Sequence, residues 1–331
     1  MVGPVRGACR VSAAEKHGLK LLLVDGHYYA YRSFFAIRSL SNSRGEPTNA
    51  VYGFLKALRR MLRDLAPDLA AVVWDMGIPK RRSDLQPAYK QQREEMPDLM
   101  RPQIGRIQQL VPLLGVASVW LADTEADDLM ASYAVAARQA GHEVVLATND
   151  KDLFQMVDDQ VRVYSTAKTD LASPSDPFAL LGLEAVRAKW GVEPHQIGAV
   201  LSLTGDAADN IPGVPGLGAK GAAALLRAHG SLDVLLREPG RIENPRVREK
   251  ILAAKEQVEQ NREMVRLDTD LELPLPVEAL RIVPRPEELL RELDLLEFRT
   301  LRQEVSLELG GAVKSGEAKG GQRSEVQGEL F

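Results

Sequence analysis

Three short apolar runs, each stopping at an acid, restrict this chain more than any other feature. Residues 19–24 end at Asp25, residues 69–74 end at Asp75, and residues 144–148 lead into Asn149 and Asp150. Continuous apolarity over five or six residues, without polar alternation, suits strands covered on both faces. Stretches with helical spacing lie between them: 28–36, 49–65, 103–114 and a run from Leu129 to Gly141. This alternation predicts an α/β fold, a mostly parallel central sheet flanked by helices. Open sheets of that kind gather ligands beyond the carboxyl ends of their strands, where these acids fall. Asp25 alone reads equally well as a helix cap; two strand-end acids are harder to dismiss.

The densest acidic cluster is Glu125, Asp127 and Asp128, with Thr124 placed to cap the helix that follows. One acid there would simply offset the helix dipole. Glu125 and Asp128 are three apart and share a face, with Asp127 beside it. If they converge, their repulsion calls for a hard cation, Mg²⁺ or Mn²⁺; this cluster alone leaves surface and site equally open. Asp152 follows Asp150 closely, and Asp206 and Asp209 face one way if they occupy a helical turn.

Residues 77–102 change character: Pro79, Pro87, Pro97 and Pro102 interrupt them, and Lys80, Arg81, Arg82, Lys90 and Arg93 surround Tyr89. This is either an exposed connection or a basic element that gathers phosphates, with Tyr89 available for base stacking. Further on, Gly213, Gly216 and Gly218 precede Lys220 and a small-residue helix. Glycines there let backbone amides approach a phosphate, although the spacing is not that of a Walker loop. A hairpin gripping a DNA backbone fits better. The formal charge of −4 argues against a generally basic nucleic-acid coat, not against a local basic groove. Cys9 is the single cysteine, so an intrachain disulfide and thiolate metal clusters are excluded and a cytoplasmic setting is expected. The first 18 residues lack the apolar run of a signal peptide and read as a flexible leader.

Taken in order, the segments ending at Asp25 and Asp75, the Glu125 to Asp128 cluster, Asn149 to Asp152, Leu203 to Asn210 and Pro212 to Gly218 closely resemble the 5′-3′ exonuclease domain of bacterial DNA polymerase I, within the flap endonuclease group. The likeness runs from about residue 19 to 296. It implies one metal site built chiefly from Asp25, Asp75, Glu125 and Asp127. Asp128, Asp150, Asp152, Asp206 and Asp209 would supply a second site and its surroundings, for two or more Mg²⁺ or Mn²⁺ ions. The resemblance makes residues 77–102 a helical arch for a single-stranded 5′ end, with Arg82, Tyr89, Lys90 and Arg93 facing DNA, Arg81 beside them, and Tyr31 and Arg32 near the scissile phosphate. The hairpin from Gly213 to Lys220 would hold the duplex arm, with a K⁺ ion. Trp74 replaces the family's phenylalanine, and Gly221 its threonine.

The resulting expectation is a metal-dependent 5′-3′ exonuclease and flap endonuclease leaving 5′-phosphates, in bacterial DNA replication or repair. Its alternatives are a branched-DNA-binding protein that does not cut and an RNA-directed nuclease of the same fold. The expected organisation is a leader (1–18), a nuclease core (19–190), a helical subdomain (191–305) with a helix-hairpin-helix-like motif at 211–221, and a disordered tail (310–331). A monomeric, standalone enzyme at the nucleoid is favoured over a polymerase fragment. In the tail, Gln327, Leu330 and Phe331 resemble the peptide by which bacterial replication proteins attach to the sliding clamp.

Overall fold

The computed structural model describes residues 18–166 and 179–320. Strand β1 (Lys20–Asp25) runs into helix α1 (Gly26–Ala36); α2 (Asn49–Leu65) leads to β2 (Leu69–Val73). Next come α3 (Lys80–Leu85), α4 (Arg101–Leu110), β3 (Ala117–Val119), α5 (Ala126–Gln139), β4 (Glu143–Ala147), β5 (Val161–Ser165), β6 (Ala179–Leu181) and α6 (Leu183–Trp190). The six strands form one sheet in the order β3-β2-β1-β4-β5-β6, parallel except at the β5–β6 edge.

Strand alternation divides the core into two layers. Leu21 and Leu23 join Leu69, Ala71 and Val73 on one face; Leu22 and Val24 join Ala70, Val72 and Trp74 on the other. Because both faces are covered, the strands contain no alternating polar positions, which is why they read as unbroken apolar runs. The chain builds outward from β1 through β2 to β3, then crosses to β4 on the opposite flank of β1. That reversal opens a crevice beyond the carboxyl ends of β1 and its neighbours.

The helical part contains α7 (Ile197–Thr204), a two-stranded hairpin of β7 (Gly205–Asp206) and β8 (Ile211–Pro212), α8 (Ala219–His229), α9 (Leu232–Arg237), α10 (Pro245–Ala253), α11 (Lys255–Met264), α12 (Pro286–Leu295) and α13 (Arg299–Gly320). Val200, Leu226, Ile251 and Val258 belong to the same apolar layer as Leu21 and Leu146, so one core runs across the expected boundary at residue 190.

Several local readings change. The expected helix over 178–190 begins instead with β6, whose residues pair with the open edge of β5 before Gly182 lets α6 start. Edge pairing here overrides helix propensity. Thr124 does not cap α5: Glu125 is the N-cap, and the Thr124 hydroxyl donates to Ala122 O at 3.0 Å. Asp206 and Asp209 lie on a β-hairpin rather than a helical turn. Helix α13 reaches Gly320, within the segment 310–331 expected to be disordered. The leader through residue 17, and Gln327, Leu330 and Phe331, lie outside the described residues.

Candidate metal centre

At the carboxyl edge of the sheet, a cavity of about 670 Å³ is lined by Asp25, Asp75, Glu125, Asp127 and Asp150, with Tyr31, Lys90 and Arg93 on its walls. Five carboxylates, separated by up to 125 positions in the chain, thus share one space.

The strand ends hold them by backbone bonds. Asp25 is both cap and lining: Oδ1 accepts from the Tyr28 N–H at 2.9 Å at the start of α1, while Oδ2 accepts from Thr148 Oγ1 at 3.1 Å. Asp75 Oδ1 accepts from the Ala126 N–H at 2.9 Å, so Asp75 supplies the cap that Thr124 does not. Asp150 accepts from the Asp152 N–H, and its own N–H donates to Thr148 Oγ1. Trp74 closes the apolar floor; a Cβ at Gly26 would lie 2.5 Å from its ring, so the glycine after Asp25 is a packing requirement.

Burial and mutual repulsion set the electrostatics. Asp25 is pushed up to about 7, by desolvation first and then by Asp75 and Asp150. Asp150 rises to about 6, through burial and then Asp127. Burial also acts upward on Asp75, but His27 and the Ala126 N–H outweigh it and hold the group near 2. His27 Nδ1 lies 3.3 Å from both Asp75 Oδ2 and the Asp75 N–H. It donates to the carboxylate when protonated there and accepts from the amide when not.

Among the described residues, Glu125, Asp127 and Asp128 each offer an oxygen within 4.8 Å of the others, compact enough for a divalent ion. Asp128 nevertheless turns away from the cavity. Fully buried, it accepts from Arg82 Nη2 at 2.8 Å and from the Asp268 N–H at 2.9 Å. Asp206 is also drawn off, to Lys151 at 2.8 Å. Asp209, bonded to Arg93 at 2.6 Å, does not line the cavity, and neither does Asp152, whose carboxyl is pushed well up by burial and by Asp150.

The basic segment divides. Lys90 Nζ reaches Glu125 Oε1 at 2.5 Å from a backbone with φ of +56°, and Arg93 flanks it. Three residues read as DNA-facing face inward instead. Arg82 is buried against Glu125 and Asp128; Arg81 bonds the Glu263 and Arg266 carbonyls and Asp268; Tyr89 packs into the core with its hydroxyl 3.2 Å from Glu125 Oε2. Acids at the start of α5 and carbonyls at and just after the end of α11 take up most of these donors, with Arg81 Nε left buried without a partner, which a count of basic residues does not reveal. Arg32 is exposed on α1 beside Tyr31 and does not line the cavity.

The glycine hairpin joins α7 to α8. A Cβ at Gly213 would lie 2.0 Å from Thr204 O, Gly216 has φ of +74°, and Gly218 is the α8 N-cap without a side-chain bond. Lys220 is exposed in the first turn.

Among the polar side chains lining the cavity, His27, Tyr28 and Asn149 were not singled out as site residues from the sequence. His27 was signalled only by its place after Asp25-Gly26. Asn149 reaches Tyr28 Oη at 2.6 Å and accepts from Ser165 Oγ and the Thr166 N–H, bracing the wall behind Asp25.

Residues 20–191 match the family described as 5′-3′ exonuclease, N-terminal resolvase-like domain, and residues 192–288 match 5′-3′ exonuclease, C-terminal SAM fold. The chain belongs to the 5′-3′ exonuclease family. The 5′-3′ exonuclease of Aquifex aeolicus is 37% identical over 289 residues, covering 86% of this chain and 94% of that protein. Thermostable DNA polymerase I of Thermus aquaticus is 39% identical over 289 residues, covering 87% of this chain; the chain spans about a third of that polymerase, 33% of its length. Among solved structures, a bacteriophage T5 flap endonuclease complex with DNA and metal ions has TM-score 0.60 and 19% identity, covering 76% of this chain and 89% of that one. The catalytic core of Rad2 with a DNA substrate has TM-score 0.59 and 14% identity, covering 88% and 92%. These likenesses establish for this 5′-3′ exonuclease family member the fold of the 5′-nucleases.

Proposed function

We propose that the protein is a divalent-metal-dependent 5′-3′ exonuclease and flap endonuclease that hydrolyses DNA phosphodiesters to leave 5′-phosphates. The observation that carries this is the single cavity collecting Asp25, Asp75, Glu125, Asp127 and Asp150 beside Lys90 and Arg93.

The donors suit the ion. They are carboxylate oxygens, the ligands of Mg²⁺ and Mn²⁺, and their burial makes shared negative charge unfavourable without a cation. Asp25, Asp75, Glu125, Asp127 and Asp150 would hold it. When bound, the metal acts as a Lewis acid toward the phosphate and lowers the pKa of water. Lys90 and Arg93 place fixed positive charge where charge grows on the phosphate oxygens. Tyr31 offers a ring at the cavity mouth, and Lys220 with the open α8 N-terminus offers donors to a more distant phosphate.

The T5 relative's complex with DNA and metal ions supports the substrate class. The deciding test is cleavage of a 5′-labelled flap substrate with Mg²⁺ by wild type and Asp150→Ala, with duplex RNA as comparison. Cutting of flap DNA that disappears in the variant is expected. Binding without cutting would leave the non-catalytic reading, and preference for RNA the RNA-directed one.

Finer parts of the same proposal are K⁺ at the hairpin, action as a monomer in the bacterial cytoplasm, and attachment to the sliding clamp through Gln327, Leu330 and Phe331. Equal clamp affinity of the full chain and a version ending at Gly328 would remove the last.

A further inference from the structure

The Arg82 guanidinium is 1% exposed, yet every nitrogen of its fork has a partner. Nε donates to Met264 O at 3.1 Å, Nη1 to Glu125 Oε2, and Nη2 to Asp128 Oδ1 at 2.8 Å and Arg266 O at 3.2 Å. It therefore joins three separate segments: α3, the start of α5 and the strap after α11. The strap is fixed from the other side as well, because the Asp268 N–H donates to Asp128 Oδ1 and Ser132 Oγ donates to Asp268 O at 3.0 Å.

The two oxygens of Glu125 live in different surroundings. Oε2 faces inward, held by Arg82 Nη1 and by Tyr89 Oη at 3.2 Å. Oε1 faces Lys90, which lines the cavity. Tyr89 is itself 5% exposed, so both inward partners are locked by packing.

We infer that Arg82, with Tyr89, is a positioning residue: it fixes the inner oxygen of Glu125 so that the outer oxygen alone is presented to a divalent ion in the cavity. Asp128 on this view is the counter-charge that holds Arg82, rather than a ligand. The planar fork is required, because one ammonium cannot reach Glu125, Asp128 and two carbonyls at once. Partners that orient a ligand from behind commonly alter metal affinity or activity about ten- to a hundredfold when changed. The inference rests on the metal-dependent reading above, and also accounts for the burial of a cation inside the basic segment.

Arg82→Lys keeps the charge and removes the fork. Mn²⁺ titration of the full chain without DNA, followed by electron paramagnetic resonance, should show binding weakened about tenfold or more, and kcat on flap DNA should fall while KM stays near wild type. Tyr89→Phe, a gentler change, should move both in the same direction by less, and carries the test if Arg82→Lys does not fold. Unchanged Mn²⁺ affinity in both variants would overturn the inference. So would an Arg82→Lys protein with normal Mn²⁺ binding, a raised KM and a salt slope for DNA binding lower by about one, the signature of a lost phosphate contact. A wild-type protein that binds no Mn²⁺ would instead remove the metal-dependent reading itself.

Discussion

The acids at the strand ends and the cations of residues 80–93 meet in one cavity but are held there by different means. Asp25 and Asp75 are placed by strand register and by bonds to the first amides of α1 and α5, so their positions follow from the sheet. Lys90 and Arg93 stand on a stretch of turns after the six-residue α3, fastened through ion pairs to Glu125 and Asp209 and one backbone bond from Lys90 N to Asp209 O. The sheet edge is placed by its packed strands; the basic segment is held by ion pairs together with neutral bonds between Gln86 and Asn210 O and between Asn210 and Ala88 O. Arg82 and Tyr89 are the exceptions within that segment, since both are buried.

The contrast breaks most visibly at Asp25. Asp25→Asn keeps the oxygen that caps α1 but loses the charge, and should lower flap cleavage with Mg²⁺ about a thousandfold or more, several kcal/mol of transition-state stabilisation. In chelator at pH 8 the same variant should melt higher than wild type, because it removes a buried charge; a lower melting temperature would contradict the account of Asp25.

Lys90→Ala should reduce kcat about a hundredfold, the scale of losing one preorganised charge at the reacting phosphate. Unlike Arg82→Lys, it should leave Mn²⁺ affinity equal or tighter, because a cation competing for Glu125 Oε1 is gone. Weaker Mn²⁺ binding in Lys90→Ala would erase the distinction between the two basic residues.

A pH series sharpens the electrostatic side. Asp25 near 7 and Asp150 near 6 lie above the ordinary aspartate value of 3.8, so the folded chain binds more protons than the unfolded one across that interval. Stability in chelator should therefore fall as pH rises from about 4 to 7. Asp75, near 2, acts oppositely: its stabilisation is present above 3.8 and lost as pH falls toward 2. Mg²⁺ should raise the melting temperature more at pH 8 than at pH 5, by about 1–2 °C for each kcal/mol of relief. A shift independent of pH would place the ion away from these carboxylates.

The smallest effect is expected at the hairpin. Lys220→Ala should weaken flap-DNA binding only a few-fold and reduce the salt slope by about one, with kcat unchanged at saturating DNA.

The fully covered strands were legible as apolar runs, and the acids after them as a candidate site, because both signals are local. β6 was not, since three residues pair with β5 only after the sheet exists. Asp25, Asp75, Glu125, Asp127 and Asp150 line one cavity. What distinguishes them from Asp128 and Asp206 is not in the pattern: those two are claimed by Arg82 and Lys151, one of them 46 positions away and the other 55. Arg81, Arg82 and Lys90 look alike in a linear reading, and only the carbonyls of Glu263, Met264 and Arg266 separate their roles.

The crossover from β3 to β4 also bears on how the chain comes alive during synthesis. Asp25 and Asp75 emerge from the ribosome early, yet β1 has no neighbour on one flank until β4 arrives, and Asp150 follows directly behind it. A nascent chain shorter than that holds four of the five lining acids but not Asp150, so competence to cut should wait until the long-range β1–β4 pairing closes.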